Sequence, residues 1–478
     1  MKVWIQIRDD RLLRGRASLV RFIPFLLRFF FPLLLIVAVL LFILLFYKDN
    51  GHRTISFVEP PKTASITILW AEWKPADYLQ ILAHDFTRET GIEVTVVQRS
   101  WSDWQQHFIS EMEQKSKRYD LVIGDSQWLG YGARNGHYID LTKWIAKQQI
   151  EAQFVPTAMQ GYAEYPKGSQ RYWAIPAEGD AMGFAYRKDL FEDPHEQRLF
   201  QQRYGYPLKV PETWQQLSDI AQHFYRPDQH LWGIMNWVEP NYDGLTMALQ
   251  SVLWAWGAEL GNQQNHEVVG VLNTPEAAEA LRFYKQLTSY TNPAWKEYYL
   301  DTDKSHNQPL ISGEAAMAMV YFAITPELLN PVTNPYADKI GFFPTPAGPA
   351  GRATSLGGQG LSLISYSKKK EYALAFLEWF VQQETQQKWS DLGGLSCHVK
   401  ILNSESFLQA SPMHPAFSES FGFVQDFWAV PEYAQLLDLS QQHWDEYLNT
   451  DQLTAEQSLD RLAQQWDKVF EYGGYYKE

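Results

Sequence analysis

Tyr172-Trp-Ala-Ile-Pro-Ala-Glu-Gly-Asp-Ala-Met-Gly-Phe-Ala-Tyr-Arg-Lys-Asp-Leu-Phe191 decides how this chain is divided. Two short apolar runs, 172–175 and 182–186, flank Pro-Ala-Glu-Gly-Asp. Pro, Gly and Asp are turn formers, so two extended segments are expected to meet at a bend that exposes Glu178 and Asp180. A bend of that kind between two folded units would lie in a cleft.

Upstream of it, apolar strands alternate with amphipathic helices. Residues 66–70 read as a buried strand. A helix follows from about residue 75, with Tyr78, Leu79, Leu82 and Phe86 on one face and Gly91 as its stop. Strands over 92–97 and 119–124 and helices over 102–117 and 141–148 continue the pattern, which implies βαβ units and a parallel sheet. Ligand sites in such sheets lie at the carboxyl ends of the strands, here Glu72-Trp73 and Asp125-Ser-Gln-Trp128. Downstream, Thr213 caps a helix with Gln216 three residues on, and Thr274 caps another with Pro275 at its first position.

These stretches, in this order, resemble the family 1 extracellular solute-binding proteins of ABC importers, the maltose-binding-protein-like group. The run Tyr186-Arg-Lys-Asp-Leu-Phe191 stands where that family has a Tyr-Asn-Lys-Asp-Leu-Phe-like run after its first hinge, with Arg187 replacing the usual Asn. Further landmarks are Pro211-Glu-Thr-Trp214, Asn273-Thr-Pro-Glu-Ala277, Gly313-Glu-Ala-Ala-Met317, Phe343-Pro-Thr-Pro-Ala-Gly348, Gly357-Gly-Gln-Gly360 and Gly393-Gly394. The resemblance covers about residues 66 to 470. It implies an α/β, two-lobe periplasmic-binding-protein fold with hinged lobes and a discontinuous chain. The first lobe is expected over 65–178 and 358–395 and the second over 180–355 and 398–478, with crossings near 176–182, 354–360 and 393–400. It also implies a sugar or oligosaccharide ligand, ABC permease subunits as partners, a monomer, and no cofactor.

The N-terminus adds a membrane expectation. The first 48 residues hold eight basic and two acidic residues; removing these from the totals of 41 and 55 leaves 33 against 53, a balance of −20 that argues against nucleic acid or anionic lipid as partner. The nineteen residues 29–47 carry no charge. At roughly 1.5 Å per helical residue they nearly match a hydrocarbon core of about 30 Å. They are expected to form a transmembrane signal anchor, the basic segment 1–28 lying in the cytoplasm and 48–64 forming a linker outside. A cleaved signal peptide is the competing reading, disfavoured by the length of the run and by the absence of a small-x-small site after it. The single cysteine, Cys397, excludes an internal disulfide.

The chemical content is aromatic: 19 Trp, 26 Tyr and 27 Phe, 15% of the chain. Many must be core. A pyranose, however, offers C–H faces for Trp or Tyr and paired hydroxyls for Asp, Glu or Gln, so a sugar cleft needs both kinds side by side. Glu72-Trp73, Gln127-Trp128, Glu178 with Asp180, Trp237 with Glu239 and Tyr242, Tyr321-Phe322, and Tyr433 after Glu432 supply that pairing. All match stretches that line the family's cleft, as does Gly358 of the Gly-Gly-Gln-Gly landmark. Trp128 and Tyr433 are expected to stack on the sugar from opposite lobes.

An enzyme is the alternative from another class. Glu178 and Asp180, on one face of a strand about 7 Å apart, could hydrolyse a glycoside, although such pairs usually come from separate elements. Gly394-Leu-Ser-Cys-His398 lacks the last glycine of a nucleophile elbow, and no HExxH or GxxxxGK[ST] is present. The twelve histidines are scattered, so no metal site is expected. A sugar-sensing binding domain is a further alternative.

Overall fold

The computed structural model describes residues 64–240, 242–298, 305–450 and 452–476. The expected cytoplasmic segment, the anchor 29–47 and nearly all of the linker lie outside the described residues. Among the described residues no helix is long and apolar enough to cross a membrane.

The strands are β1 (Ser65–Ala71), β2 (Glu93–Arg99), β3 (Leu121–Asp125), β4 (Ile175–Arg187), β5 (Trp232–Met235), β6 (Ala315–Tyr321), β7 (Ile340–Pro344), β8 (Thr354–Leu363) and β9 (Val424–Gln425). Their order is β2-β1-β3-β8-β4-β6-β5, with β7 also on β4 and β9 on β8. β1 is parallel to β2 and β3, as the βαβ pattern predicts. Apolar residues fill β1 and β3 because both faces are covered by helices. The helix Lys74–Thr90 buries Leu79, Leu82, Ala83 and Phe86 on one stripe and ends at Gly91 with φ of 73°, the left-handed stop a glycine adopts without strain. The Thr213–Gln216 capping box forms on the helix Trp214–Phe224, and Thr274 caps Pro275–Thr288.

The quoted stretch differs from its reading. There is no bend at Pro-Ala-Glu-Gly-Asp: β4 is one strand of 13 residues, buried along nearly its whole length. The only irregularity is a shift of register between Pro176 and Glu178, where the imide has no N–H to give a ladder. Glu178 and Asp180 are therefore buried, not exposed. Residues 175–181 of β4 pair with β8, and residues 182–187 pair with β6 and β7. One strand thus belongs to two sheets.

The core divides at the same point. One apolar cluster joins residues 64–181 to 356–421 and takes in Phe322 and Ala323, a second joins the rest of 182–353 to 427–470, and a small third lies beside β6. This is a two-lobe periplasmic-binding-protein fold of mixed α/β character. One boundary needs correction: Ile401, Leu402, Phe407, Met413, Phe417 and Phe421 pack into the first cluster, so the stretch from 398 to 421 lies with the first lobe. Phe322, which Phe417 meets edge-on at 6.1 Å, is far away in sequence, which periodicity cannot reveal.

Candidate functional site

The carboxyl ends of the strands bring the site together. Trp73 follows β1, Trp101 follows β2, and Asp125 and Ser126 close β3; from the other lobe Trp237 follows β5 and Tyr321 closes β6. With Asp180 of β4, Gly357, Gly358 and Gln359 of β8, and Tyr242, Asp243 and Phe427, they line a narrow interlobe cavity. A wider groove runs on past Glu72, Trp73, Lys74 and Glu327.

Rings form its walls. Trp73 meets Trp101 edge-on at 5.3 Å, and Trp101 meets Tyr242 at 5.8 Å. On the facing lobe Trp237 meets Tyr321 at 6.0 Å and is backed by the His306 ring, stacked at 3.8 Å. Tyr242 is held in the left-handed region, φ 52°, a conformation a bulky residue adopts only when its surroundings enforce it. Its hydroxyl donates to Asp125 across the cleft and accepts from Gln127 Nε2 at 3.2 Å.

The carboxylates are buried but hydrogen-bonded. Asp125 accepts from Gln359 Nε2 at 2.9 Å and Gln127 Nε2 at 3.1 Å. Asp180 Oδ1 accepts from the backbone N–H of Ala181 at 2.8 Å and of Ala323 at 3.0 Å. Burial pushes Asp125 up, and pushes Asp180 up to about 8, because a charge taken out of water favours its neutral form. Glu178 is raised well above the usual carboxylate range for the same reason; both its oxygens accept from Leu395 N, at 3.1 and 3.0 Å. The close contact of the two strands depends on Gly358, with φ 81°, where a Cβ would sit 2.3 Å from the Glu178 carbonyl oxygen.

Of the residues singled out from sequence, Trp73, Asp180, Trp237, Tyr242, Tyr321 and Gly358 line the cavity. Glu72 stands in the wider groove, and Gln127 is buried behind Asp125. The remaining four are corrected. Trp128, 3% exposed, is stacked on Phe108 at 4.6 Å inside the first lobe. Tyr433, 1% exposed, stacks beneath Phe427 at 4.6 Å. Phe322 fills the space over Gly183, and Glu178 turns to Leu395, so the two carboxylates do not face the cavity as a pair. Asp125 and Ser126, at the strand end named from sequence, line the cavity as well, whereas sequence reasoning passed over Trp101, Asp243, Gln359 and Phe427 as lining residues. The rule of strand carboxyl ends, which pointed to Asp125, could have found Trp101 too, since it follows the end of β2.

Comparison with known proteins places these features. At 22% identity over 395 residues, covering 79% of this chain and 83% of the relative, the chain is similar to a probable amino-acid ABC transporter periplasmic-binding protein of Sinorhizobium fredii. A probable ABC transporter-binding protein of Deinococcus radiodurans is 27% identical over 280 residues, 57% of this chain and 61% of that one. Among solved structures, a solute-binding protein of Agrobacterium radiobacter in complex with ribitol superposes with a TM-score of 0.72 at 22% identity, over 86% of this chain and 100% of that one. A maltose-bound T. maritima protein gives 0.71 at 22% identity, over 85% and 100%. The family model for bacterial extracellular solute-binding protein matches residues 71–387. With more than half its length matched and its lobes joined through β4 and β8, the chain belongs to the bacterial extracellular solute-binding proteins.

Proposed function

We propose that this protein is the solute-binding component of an ABC importer, capturing a sugar or polyol between its lobes and presenting it to permease subunits in the membrane. The observation that carries this reading is the cavity itself, where Trp73, Trp101, Trp237 and Tyr321 alternate with the buried carboxylates Asp125 and Asp180. Flat rings suit C–H faces, and fixed acceptors suit hydroxyl donors. The ribitol, maltose and mannitol complexes of proteins with the same fold support it further. An amino acid, suggested by the name of one relative, fits less well, because among the described residues no Lys or Arg lines the cavity to meet an α-carboxylate. Calorimetry of the detergent-solubilised full chain against ribitol, mannitol, maltose and common monosaccharides tests the proposal. Saturable binding of at least one is expected, and binding only of amino acids would overturn it.

The protein performs no chemistry on its ligand in this reading, which the separate burial of Glu178 and Asp180 supports. A reducing-end assay on the bound oligosaccharide should show no release. The lobes are assigned as 65–178 with 358–421 and 180–355 with the chain beyond 424, closing about β4 and β8 so that only the ligand-bound form presents both to the permease. The whole is a monomer outside the cytoplasmic membrane, tethered by the uncharged run 29–47. Retention in the membrane pellet after carbonate washing, with the N-terminal residues intact, is the expected result; a soluble product beginning after residue 47 would remove the anchor.

A further inference from the structure

A second pocket, of about 270 Å³, lies apart from the interlobe cavity, close to the lower end of the roughly 300–1,000 Å³ typical of small-molecule sites. It too draws on both lobes. Gln160, Gly161 and Lys167 come from the first, and Trp254, Glu259 and Gln263 from the second. Two segments that cross between the lobes stand between the chambers. Leu356 of β8 borders both, with Gly357 on the cavity; Asp426 lines the pocket, and its neighbour Phe427 lines the cavity. The helix Gly244–Ala255 spans the same separation, since Met247 lines the cavity and Trp254 the pocket. Seven helical residues set them about 10 Å apart along the axis.

The two chambers differ in how their polar groups are used. In the cavity Asp125, Gln127, Gln359 and Tyr242 bond to one another. In the pocket the side chains of Thr157, Gln160, Gln263 and Gln425 form no hydrogen bond among the described residues. The indole N–H groups of Trp254, 6% exposed, and Trp428, 5% exposed, donate to no acceptor among them either. Asp426 Oδ1 accepts from Ser126 Oγ at 3.3 Å and from its neighbour's N–H at 2.9 Å, while Oδ2 is left towards Gly161. Neutral amides, indoles and a hydroxyl thus offer donors and acceptors together, over an apolar floor of Leu260, Leu356 and Val424. Hydroxyl groups both donate and accept, and the C–H groups that carry them suit such a floor.

We propose that this pocket is a second binding site, for a neutral polyhydroxy compound no larger than a single sugar unit, whose occupant bridges the lobes on the side away from the solute cavity. It goes beyond capture in the cavity and needs no charge on Asp426, because a carboxyl accepts from a hydroxyl in either protonation state.

The test is equilibrium dialysis of the full chain, in a detergent without a sugar headgroup, against radiolabelled ribitol, mannitol and glucose. Two molecules of at least one probe should bind per chain. Gln160→Ala combined with Gln425→Ala removes two exposed amides that bond to nothing in the protein, so folding is spared. This variant should weaken one of the two sites by about tenfold, the worth of two neutral hydrogen bonds, and leave the other unchanged. Trp73→Ala should do the reverse. A single molecule per chain that the glutamine substitutions do not disturb overturns the second site and leaves capture in the cavity intact. A single molecule lost with the glutamines and indifferent to Trp73→Ala upholds the second site and overturns the cavity as the place of capture. Two molecules that both ignore the glutamine substitutions, or no binding of any probe, overturn the proposal.

Discussion

Trp101 and Trp104 stand three residues apart on one helix and belong to different parts of the molecule. From Trp104 inward the rings run to Trp128 at 4.5 Å and on to Phe108, all buried in the first lobe. From Trp101 outward they run to Trp73 and Tyr242, which line the cavity. The residue types and spacings are alike. What separates them is whether protein covers both faces of a ring or leaves one for a ligand, and that decides whether its loss is felt in folding or in binding.

The inner end should give the largest effect. Trp128→Ala removes a large side chain from a packed core and should cost about 3–5 kcal/mol of stability in urea unfolding. A well-folded variant that had merely lost its ligand would break the division. Next comes pH, which probes the carboxyls at the boundary between the two regions. In the unfolded chain Asp180 releases its proton near pH 4, whereas in the folded protein it keeps it to about 8. Between those values the folded state holds more protons, so its stability falls as pH rises through that window and levels off above it. Asp426, pushed up to about 7 by burial, acts in the same sense. Melting temperatures of the native chain should therefore decline from pH 5 to pH 8, and Asp180→Asn should flatten the decline; an equal slope in both would remove Asp180 as the cause.

At the outer end, Trp73→Ala should weaken solute binding by roughly 1–3 kcal/mol, the scale of one large side chain buried against a ligand, while urea unfolding hardly moves. A stability loss as great as that of Trp128→Ala would merge the two regions into one core. The smallest effect is expected from Tyr242→Phe, which deletes the hydroxyl that reaches Asp125 across the cleft. Affinity should drop by about 0.5–1.5 kcal/mol, the net worth of a hydrogen bond, and calorimetry at fixed pH would read it.

Local signals carried much of the architecture. Helix caps at Thr213 and Thr274, the Gly91 stop, and the alternation from residue 66 to residue 148 depend on neighbours within a few positions, and all are visible in the chain. The centre of the fold was less legible. Glu178-Gly-Asp180 reads as a solvated turn until its hydrogen-bond partners are known, and these are Leu395, 217 residues away, and Ala323, 143 residues from Asp180. Aromatic placement failed for a related reason. Trp128 and Trp73 each follow a strand, but the turn after β3 winds into a short helix that carries Trp128 back over Phe108. Which rings are covered is settled by packing from other elements, and no spacing rule encodes that.

The passage of β4 through both sheets has a mechanical corollary. Asp180 lies at the point where β4 leaves one sheet for the other, between pairing with Gly357 and with Tyr321 by way of Ala181 and Met182. A pull exerted at a fulcrum turns nothing, so a ligand gripped there is anchored without leverage. In the proposed closure, the torque that swings one lobe toward the other has to come from groups with a longer arm, and Trp73 after β1 and Tyr242 after β5, cavity rings from the two lobes, are the candidates to supply it. Grip and swing are assigned to different residues by distance from one axis, and a solute too short to reach the far rings would be held without shutting the jaws.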